Sequence, residues 1–335
     1  MTAPVTMRDV AREVGVSPMT VSRALRGDGT VSQKTRDTIR AAADRLGYVY
    51  DTTAQAFRAQ KSGFVAVTLP SIDNANFAAT HRGLTEVLSE TGLQILLGST
   101  NYSVDAEERI VRQLLERKPE AIILTGGHHS PGTRALLRAR DIPVVEMWDL
   151  PEAPLQHTVG FSNPDAMTGI VEQLAASGRR RLAFLGAEGE SDRRGAERCR
   201  GVIGAAQRLG LPTVEVLSIG PAPVSMSEGA QAVADMADRL PEFDALVCVS
   251  DTVAFGALTA CQRRGVSVPG DIAITGFGAF EIAAVSCPAL TTVDVFAYDI
   301  GVAAGGLITN VLADPAGKDA VVVETAVQIR PGETS

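Results

Sequence analysis

The sequence predicts a small all-α headpiece followed by an α/β body of two parallel-sheet subdomains. At 335 residues the chain exceeds the usual size of one domain. The stretch before Phe64 holds capped helical segments and no strand pattern, whereas beyond it short apolar runs alternate with amphipathic stretches. Such alternation is typical of a parallel sheet covered by helices. We therefore expect at least two compact units of different fold class.

Three short helices are predicted before residue 48. The first begins at a capping box formed by Thr6 and Asp9. The second begins at Ser17, with a proline at its first helical position, and the third begins near Ser32. One face of each helix is apolar, and these faces form the expected core: Val10, Ala11, Val14, Val21, Ala24, Leu25, Ile39, Ala42, Ala43 and Leu46.

The body contains two successive sets of four strand candidates. They are FVAVTLP, QILLGST, AIILTGG and PVVEMW, followed by RLAFLGA, VEVLSIG, ALVCVS and IAITGFG. Helices are predicted over 78–91, 104–117, 164–177, 195–209, 227–240 and 251–265. Ligands of such folds bind at the carboxyl ends of the strands, so two facing sets predict a ligand site in the cleft between them.

The net charge divides the chain at Lys61. The whole chain carries −8, but residues 1–61 hold ten basic and six acidic side chains, a net charge of +4, so that the remainder carries −12. A basic head on an acidic body is typical of a DNA-binding domain joined to a regulatory module. A solvated helix surface would give the same asymmetry, so charge alone leaves both interpretations open.

Several classes of protein are disfavoured by what the sequence lacks. No segment has the roughly 20 apolar residues of a membrane span, and the N-terminus has no apolar signal core, which predicts a soluble cytoplasmic protein with no membrane partner. The spacing of the cysteines fits neither a disulfide framework nor a metal knuckle. Those cysteines are Cys199, Cys248, Cys261 and Cys287.

An enzyme is the first alternative, because repeated βα units host many catalytic sites. The sequence contains no GxGxxG after a strand, no GxxxxGK[ST], no HExxH and no GxSxG, and its four histidines form no recognisable catalytic set. His128 and His129 could bind a metal, but an exposed polar loop is the favoured interpretation. We therefore expect no enzyme, no cofactor and no metal.

The run from Asp9 to Arg23 predicts a helix-turn-helix. A tight turn holds the N-terminus of the second helix outward, where free N–H groups meet phosphate and the first side chains meet base edges. The hydroxyls of Ser17, Thr20 and Ser22 suit phosphate contacts. The alternative is a helical hairpin that only packs and has no role in DNA binding.

This run resembles the headpiece of the lactose-repressor family nearly position by position. The resemblance implies that Pro18, Met19 and Arg23 read bases, Arg23 through a guanine and the other two through apolar contact. It also implies a hinge segment whose Ala54 and Phe57 reach the minor groove. The complete set of DNA-contact candidates is Thr6, Ser17, Pro18, Met19, Thr20, Ser22, Arg23, Ala54 and Phe57.

The predicted hinge departs from the family pattern at two positions. Phe57 stands where a leucine is usual, and Tyr50 replaces a common proline. A phenylalanine can still act as a wedge, because unstacking a base step requires an apolar side chain of no particular kind. The alternative is that Phe57 packs against the body.

The resemblance covers essentially the whole chain, through VPGDIAITGFG, PALTTVDV and a closing strand before Arg330. It implies a body similar to periplasmic sugar-binding proteins. The expected partition is 1–48 for the DNA-binding domain, 49–62 for the hinge and 63–335 for effector binding and dimerisation. Within the body, 63–160 with 293–319 form one subdomain and 161–292 with 320–335 form the other.

Within that family the likeness is greatest to gluconate-operon repressors, through PSIDNANFA, IPVVEMWD and VGFSN. This implies a sugar acid as effector, held by Arg198, whose fixed donor fork suits a carboxylate or a vicinal diol. Gly278 stands where many sugar-binding relatives have an aspartate, which makes an anionic ligand easier to accept. The further effector candidates are Ser71, Phe77, Glu146, Trp148, Asp149, Phe161 and Ser250.

The resemblance also implies partners. We expect a repressor that binds pseudo-palindromic operator DNA as a homodimer, because one short helix contacts too few bases for useful specificity. The sequence has no leucine heptads of the kind that hold some relatives as tetramers. A stand-alone sugar-binding protein is the second alternative, and it would need an export signal and no basic headpiece.

Overall fold

The computed structural model describes residues 4–26, 28–50, 62–187, 192–314 and 319–335. Within it the chain divides into two compact units, Met1–Ser62 and Gly63–Ser335. Each unit has a hydrophobic core of its own. We call the first unit the headpiece and the second the body.

The described headpiece contains α1 (Met7–Val14), α2 (Pro18–Leu25) and α3 (Gln33–Leu46). All three pack around Val10, Val21 and Ile39, none of which is exposed. The helices begin where the capping residues predict. For example, the amide and hydroxyl of Thr6 both donate to the carboxylate of Asp9, at 2.9 and 2.6 Å.

The described strands of the body form two sheets. They are β1 (Phe64–Leu69), β2 (Gln94–Ser99), β3 (Ala121–Thr125), β4 (Val144–Met147), β5 (His157–Gly160), β6 (Leu182–Gly186), β7 (Glu215–Ser218), β8 (Ala245–Cys248), β9 (Ala273–Phe277), β10 (Thr291–Asp294), β11 (Val322–Glu324) and β12 (Gln328–Arg330). Among the described residues, each sheet has six strands, in the orders β11-β5-β4-β3-β1-β2 and β12-β10-β9-β8-β6-β7. All neighbours are parallel except β10 and β12.

Helices separate the strands as the sequence pattern predicts. They are α4 (Ala75–Glu90), α5 (Val104–Glu116), α6 (Pro131–Arg138), α7 (Asn163–Ala166), α8 (Thr168–Ala176), α9 (Arg193–Arg208), α10 (Met226–Asp235), α11 (Asp251–Arg263), α12 (Glu281–Val285) and α13 (Ala297–Ala313). The predicted helix 164–177 is divided into α7 and α8. The sequence prediction lacked α6, α12 and α13. α13 in particular gives no amphipathic signal because it is apolar on most of its faces.

The chain passes between the two sheets three times, after β5, after β10 and after β11. The second and third crossings were predicted at about 293 and about 320, and in the structure each follows a few residues later. β10 lies wholly in the second sheet, and β11 pairs with β5 in the first. β11 and β12 have only three residues each, too few for a sequence pattern to fix. We call the half that contains the first sheet the first subdomain and the other half the second subdomain.

Candidate functional site

The headpiece presents the N-terminus of α2 as an exposed polar end. The hydroxyl of Ser17 accepts the amide of Thr20 at 3.1 Å and lies 2.9 Å from the hydroxyl of that residue. Pro18 follows at the first helical position, Met19 is 61% exposed, and Arg23 is also exposed. This end therefore offers backbone N–H groups, hydroxyls, an apolar side chain and a cation to a partner.

Besides Ser17 and Thr20, two more of the predicted contact residues are hydrogen-bonded inside the headpiece. The hydroxyl of Thr6 donates to Asp9, and the hydroxyl of Ser22 lies 3.2 Å from the phenol oxygen of Tyr50. Tyr50, which stands where a proline is common, thus ties α2 to the segment that follows α3. Outside the described residues lie Ala54 and Phe57, so the hinge wedge stays a prediction.

The body contains a recess of about 590 Å³, partly open to solvent, that is lined by both subdomains. The first subdomain contributes Asn74, Asn76, Phe77, Tyr102 and Trp148. The second contributes Asp192, Arg194, Arg198, Ser250, Thr252 and Phe277.

A row of aromatic rings runs from one subdomain to the other along the recess. Phe77 and Trp148 meet edge to face with centroids 5.2 Å apart, and Trp148 meets Phe161 at 6.0 Å. Phe161 then lies 6.2 Å from Phe277, at the end of β9. Such edge-to-face pairs contribute about 0.5–1.5 kcal/mol each beyond the area they bury. The row therefore gives the recess a rigid apolar wall.

Trp148 is held in place through its backbone and its ring. Its φ angle of 74° is unusual for a large side chain. Its amide donates to the carbonyl of Val159 at 3.0 Å, and its own carbonyl accepts from the side chain of Asn163 at 3.1 Å. The indole N–H donates to the hydroxyl of Thr80 at 3.2 Å. These bonds hold a strained backbone conformation that turns the ring towards the recess.

Arg198 is the most buried cation of the recess lining, with a side chain that is only 12% exposed. Its guanidinium lies 4.2 Å from the centre of the Phe277 ring and 3.7 Å from a carboxylate oxygen of Asp192. Its Nε is buried and has no hydrogen-bond partner among the described residues. Burial lowers the pKa of Arg198 below its usual value, because the charged form loses hydration.

α9 delivers a second arginine to the recess from its first turn. Asp192 caps this helix by accepting the amide of Gly195 at 3.0 Å. Arg194 reaches across to Phe77 of the first subdomain, with its guanidinium 5.5 Å from the ring centre. The recess is thus lined by two guanidinium groups and one carboxylate from the same end of α9.

Gly278, directly after β9, leaves no room for a side chain. Its φ is +121°, and a Cβ there would lie 2.7 Å from the amide nitrogen of Asn76. The side chain of Asn76 thus approaches the space that a side chain at Gly278 would need. Asn76, which lines the recess, brings its amide to this corner.

The start of α11 contributes hydroxyls and hides a carboxylate. The hydroxyls of Ser250 and Thr252 lie 2.8 Å apart at the recess. Asp251 is buried and accepts the Thr292 hydroxyl at 2.5 Å and the Phe280 amide at 2.7 Å. Burial raises the pKa of Asp251 to about 6, against the opposing effect of these hydrogen bonds.

A buried ionic cluster lies in the first subdomain. The Nδ1 atom of His129 is 2.6 Å from Glu107 on α5, and its Nε2 atom is 3.2 Å from Glu146 on β4. Burial alone lowers the pKa of His129, but the hydrogen bond with Glu107 and the interactions with both carboxylates outweigh it and raise that pKa to about 9. The expectation that His129 lies in an exposed loop is therefore wrong, although His128 is exposed.

Comparisons with known proteins agree with this geometry. Residues 6–51 match the bacterial regulatory proteins of the lacI family, and residues 171–335 match the periplasmic binding protein-like domain. The HTH-type transcriptional regulator GntR of Pseudomonas aeruginosa is 37% identical over 290 residues, which cover 86% of this chain and 83% of that protein. The chain belongs to the LacI family. This LacI-family protein is a DNA-binding transcriptional regulator.

Solved structures of LacI-family proteins show the same architecture. A LacI-family transcriptional regulator from Silicibacter pomeroyi is 33% identical, with a TM-score of 0.90 over 99% of both chains. The lac repressor, solved as a dimer bound to operator and an anti-inducer, is 23% identical with a TM-score of 0.84 over 99% of both chains. These relatives regulate transcription and are not enzymes, which confirms the prediction that this regulator is not an enzyme.

Neither a membrane-spanning helix nor a metal-binding cluster is found in the part of the regulator that the structure describes. No described helix is long and apolar enough to cross a membrane. No group of three or more described histidine, cysteine, aspartate or glutamate side chains is arranged to hold a metal ion.

The recess brings together half of the effector residues that the sequence suggested for the regulator. Those four are Phe77, Trp148, Arg198 and Ser250. Phe161 lies beneath Trp148 and is only 1% exposed. Ser71 lies in a wider groove at the mouth of the cleft, and Asp149 lines an adjoining recess.

Glu146 does not line the cleft, and the expectation that it does is wrong. It lies in β4 with no exposed surface, near His129, and its carboxylate accepts the amide of Leu155 at 2.5 Å. Its neighbour Met147 is also buried, so this strand is covered on both faces. Nothing in the sequence around Glu146, near the end of a predicted strand, indicates that its carboxylate pairs with the buried His129.

Several recess residues escaped the sequence analysis. Asn74 caps α4, and Asp192 caps α9, so capping signals could have placed both at strand-to-helix junctions. Arg194 follows one of these caps within the first turn. Asn76 lies in PSIDNANFA, a motif that carries the family resemblance, but neither it nor Tyr102 was singled out as an effector residue.

Proposed function

We propose that the regulator is a homodimeric repressor whose affinity for operator DNA is controlled by a sugar acid, such as gluconate, bound in the recess. Residues 1–48 would read a pseudo-palindromic operator, and 49–62 would form the hinge. The lac repressor, which has the same fold, was solved as a dimer on its operator. That likeness supports the partners proposed for this chain.

The observation that carries the effector proposal is the environment of Arg198. A buried guanidinium needs hydrogen-bond acceptors, because leaving a charged donor unpaired is costly. Its Nε has no partner among the described residues, and the nearest carboxylate in that part of the chain, that of Asp192, is 3.7 Å away. Arg194 adds a second positive charge at the same recess. A carboxylate ligand would supply the missing acceptors.

The remaining lining favours a polyhydroxylated ligand over a simple organic acid. The rings of Phe77 and Trp148 offer an apolar face, and Asn76, Ser250 and Thr252 offer amide and hydroxyl groups. This mixture is typical of sites for polar ligands with a hydrophobic face. Gly278 removes the carboxylate that many relatives have, and with it a repulsion against an anionic ligand.

The headpiece supports DNA reading through two kinds of contact. The N-terminus of α2, with its cap at Ser17, suits a phosphate. Beyond it, Arg23 can donate two parallel hydrogen bonds to a guanine, and the exposed Met19 can contact a thymine methyl. Pro18 adds a second apolar contact.

The effector proposal is tested by titrating the intact protein with gluconate and with glucose, a neutral sugar of the same size. The sole tryptophan, Trp148, reports binding through its fluorescence, because it lines the recess. We expect gluconate to change this fluorescence and the operator affinity, and glucose to do neither. Equal responses to the two sugars, or none to gluconate and hexuronates, would contradict a sugar-acid sensor.

The DNA proposal is tested with Arg23→Ala. We expect this change to weaken binding to the operator by about 1–3 kcal/mol, with a much smaller loss on random DNA. Arg45→Ala is the matched control, because it removes one exposed charge from the headpiece on α3. Gel-shift titrations at one fixed salt concentration compare the variants. An equal loss on both DNAs for Arg23→Ala would rule out base reading by this residue.

A further inference from the structure

The indole of Trp148 is bonded to a buried hydroxyl that also touches a second helix. Thr80, on α4, has no exposed surface. Its hydroxyl accepts the indole N–H at 3.2 Å and lies 2.8 Å from the carbonyl of Ala297 and 3.0 Å from that of Asn76. One hydroxyl can accept and donate at the same time. Thr80 therefore joins the wall of the recess to the first residue of α13.

Ala297 lies where the chain enters the first subdomain from the second. β10 ends at Asp294 in the second sheet, and α13 begins three residues later. Between them, Phe296 has a φ of 49°, in the left-handed region. Crossings of this kind are the places where the backbone changes when two subdomains close or open.

α4 and α13 pack with their backbones in direct contact next to Thr80. A Cβ at Gly301 would lie 2.1 Å from the carbonyl oxygen of Thr80, and one at Gly83 would lie 2.3 Å from that of Tyr298. No side chain separates the helices at these points. Because the two backbones are in close contact with no free space between them, we expect α4 and α13 to move together at this point.

Trp148 is also bonded to a second crossing. Asn163, just after the crossing that follows β5, donates to the Trp148 carbonyl at 3.1 Å. A hydrogen bond joins this crossing to the third one: the amide of Thr325, just after β11, donates to the carbonyl of Gly160, at the end of β5, at 2.7 Å. Trp148 is thus hydrogen-bonded to residues at two crossings, to Asn163 directly and to Ala297 through Thr80.

We propose that Thr80 is a positioning residue that transmits the position of the Trp148 ring to the crossing at Ala297. A ligand that moves the ring would change the hydroxyl's bond to the Ala297 carbonyl and so bias the closure of the subdomains. This inference rests on the proposed function, since it assumes that occupancy of the recess controls the headpiece. A coupling between two sites requires such an element with two arrangements.

The first test needs no ligand. Thr80→Val keeps the shape of the side chain and removes the hydroxyl, whereas Thr80→Ser keeps the hydroxyl. In Thr80→Val we expect amide hydrogen exchange at Ile300, which donates to Phe296, to rise by about fivefold. Exchange at Val249, in the second subdomain, should not change. The Raman marker of the indole N–H should report a lost hydrogen bond only in Thr80→Val.

The second test measures coupling. Calorimetry gives the gluconate affinity of each variant, and a gel shift with and without saturating gluconate gives the change in operator affinity. We expect Thr80→Val to reduce that change by about fivefold while gluconate still binds, and Thr80→Ser to behave as the wild type. A wild type that binds no sugar acid would refute the proposed function and leave the exchange test of Thr80 standing.

Three outcomes would overturn the role of Thr80. The first is wild-type exchange at Ile300 in Thr80→Val, and the second is identical behaviour of the Val and Ser variants, which would indicate packing and not the hydroxyl. If Thr80→Val does not fold, Trp148→Phe removes the donor from the other end of the same hydrogen bond and should also raise exchange at Ile300. The third outcome that would overturn the role of Thr80 is an unchanged exchange rate of Ile300 in Trp148→Phe. Where both variants fold, the double variant should add little to Thr80→Val, because both act on one hydrogen bond.

Discussion

The two subdomains differ in the charged groups that they bring to the recess. The first buries His129 between Glu107 and Glu146 and offers the recess rings, amides and a phenol. The second brings Arg194 and Arg198 to the recess surface. The charged groups that line the recess, Asp192 among them, thus come from the second subdomain, whereas the His129 cluster of the first lies inside it.

This difference shows how binding can be turned into closure. Neither face alone has both the cations and the aromatic wall that a sugar acid needs. A ligand that uses both must hold the subdomains together, and the energy of contacts made only in the closed state favours that state. The guanidinium of Arg194, 5.5 Å from the centre of the Phe77 ring, is one contact that joins the two faces.

The largest expected effect concerns the first subdomain and its buried cluster. The pKa of His129 is raised to about 9 from 6.5, so its protonation stabilises the folded state fully below pH 6.5, and this contribution is lost as the pH rises through about 9. We expect the free energy of unfolding to fall by about 3 kcal/mol over this window. Denaturant titrations of the wild type and of His129→Gln measure it, because the variant lacks this group. Parallel pH profiles for the two proteins would show that the cluster is not structural.

The next effect concerns the second subdomain. Arg198→Ala should weaken gluconate binding by about 2–3 kcal/mol and abolish the operator response, with operator affinity itself unchanged. Arg200→Ala is the matched control, because its side chain lies on the same helix, 68% exposed and outside the recess. Calorimetry and gel shifts compare the two. A normal response in Arg198→Ala would move the anion site away from this residue.

The smallest effect tests the contact between the faces. Arg194→Gln removes a cation from a partly exposed position near the Phe77 ring, and we expect a loss of about 0.5–1 kcal/mol in gluconate affinity. Because its charge is screened by solvent, this loss should shrink at higher salt, whereas the loss in Arg198→Ala should persist. Calorimetry at two salt concentrations measures both. Equal losses in the two variants would contradict the division between a buried and a screened cation.

The parts of the molecule that local signals determine could be predicted from the sequence. The headpiece helices begin at their capping residues, and the eight apolar runs are eight strands of the two sheets. Arg198 and Trp148 were placed in the cleft by family resemblance, and both line the recess. Local patterns suffice wherever a cap or an alternating run decides the structure.

Features that depend on distant partners could not be predicted. His129 follows two glycines, which indicate a loop, but carboxylates from two other elements make its burial possible. The side chain of Asn76 lies where a Cβ at Gly278, in the other subdomain, would be 2.7 Å away, a proximity that no local pattern shows. The three-residue β11 is a strand only because β5 lies beside it.

The three crossings also set an order for biosynthesis. The headpiece is contiguous and can fold soon after it leaves the ribosome. The first subdomain cannot, because α13 and β11 are translated only after most of the second subdomain. Until Val322–Glu324 is made, β5 remains an open edge of the nascent sheet. A growing chain therefore carries a folded DNA-binding head well before it has a complete sensor to govern it.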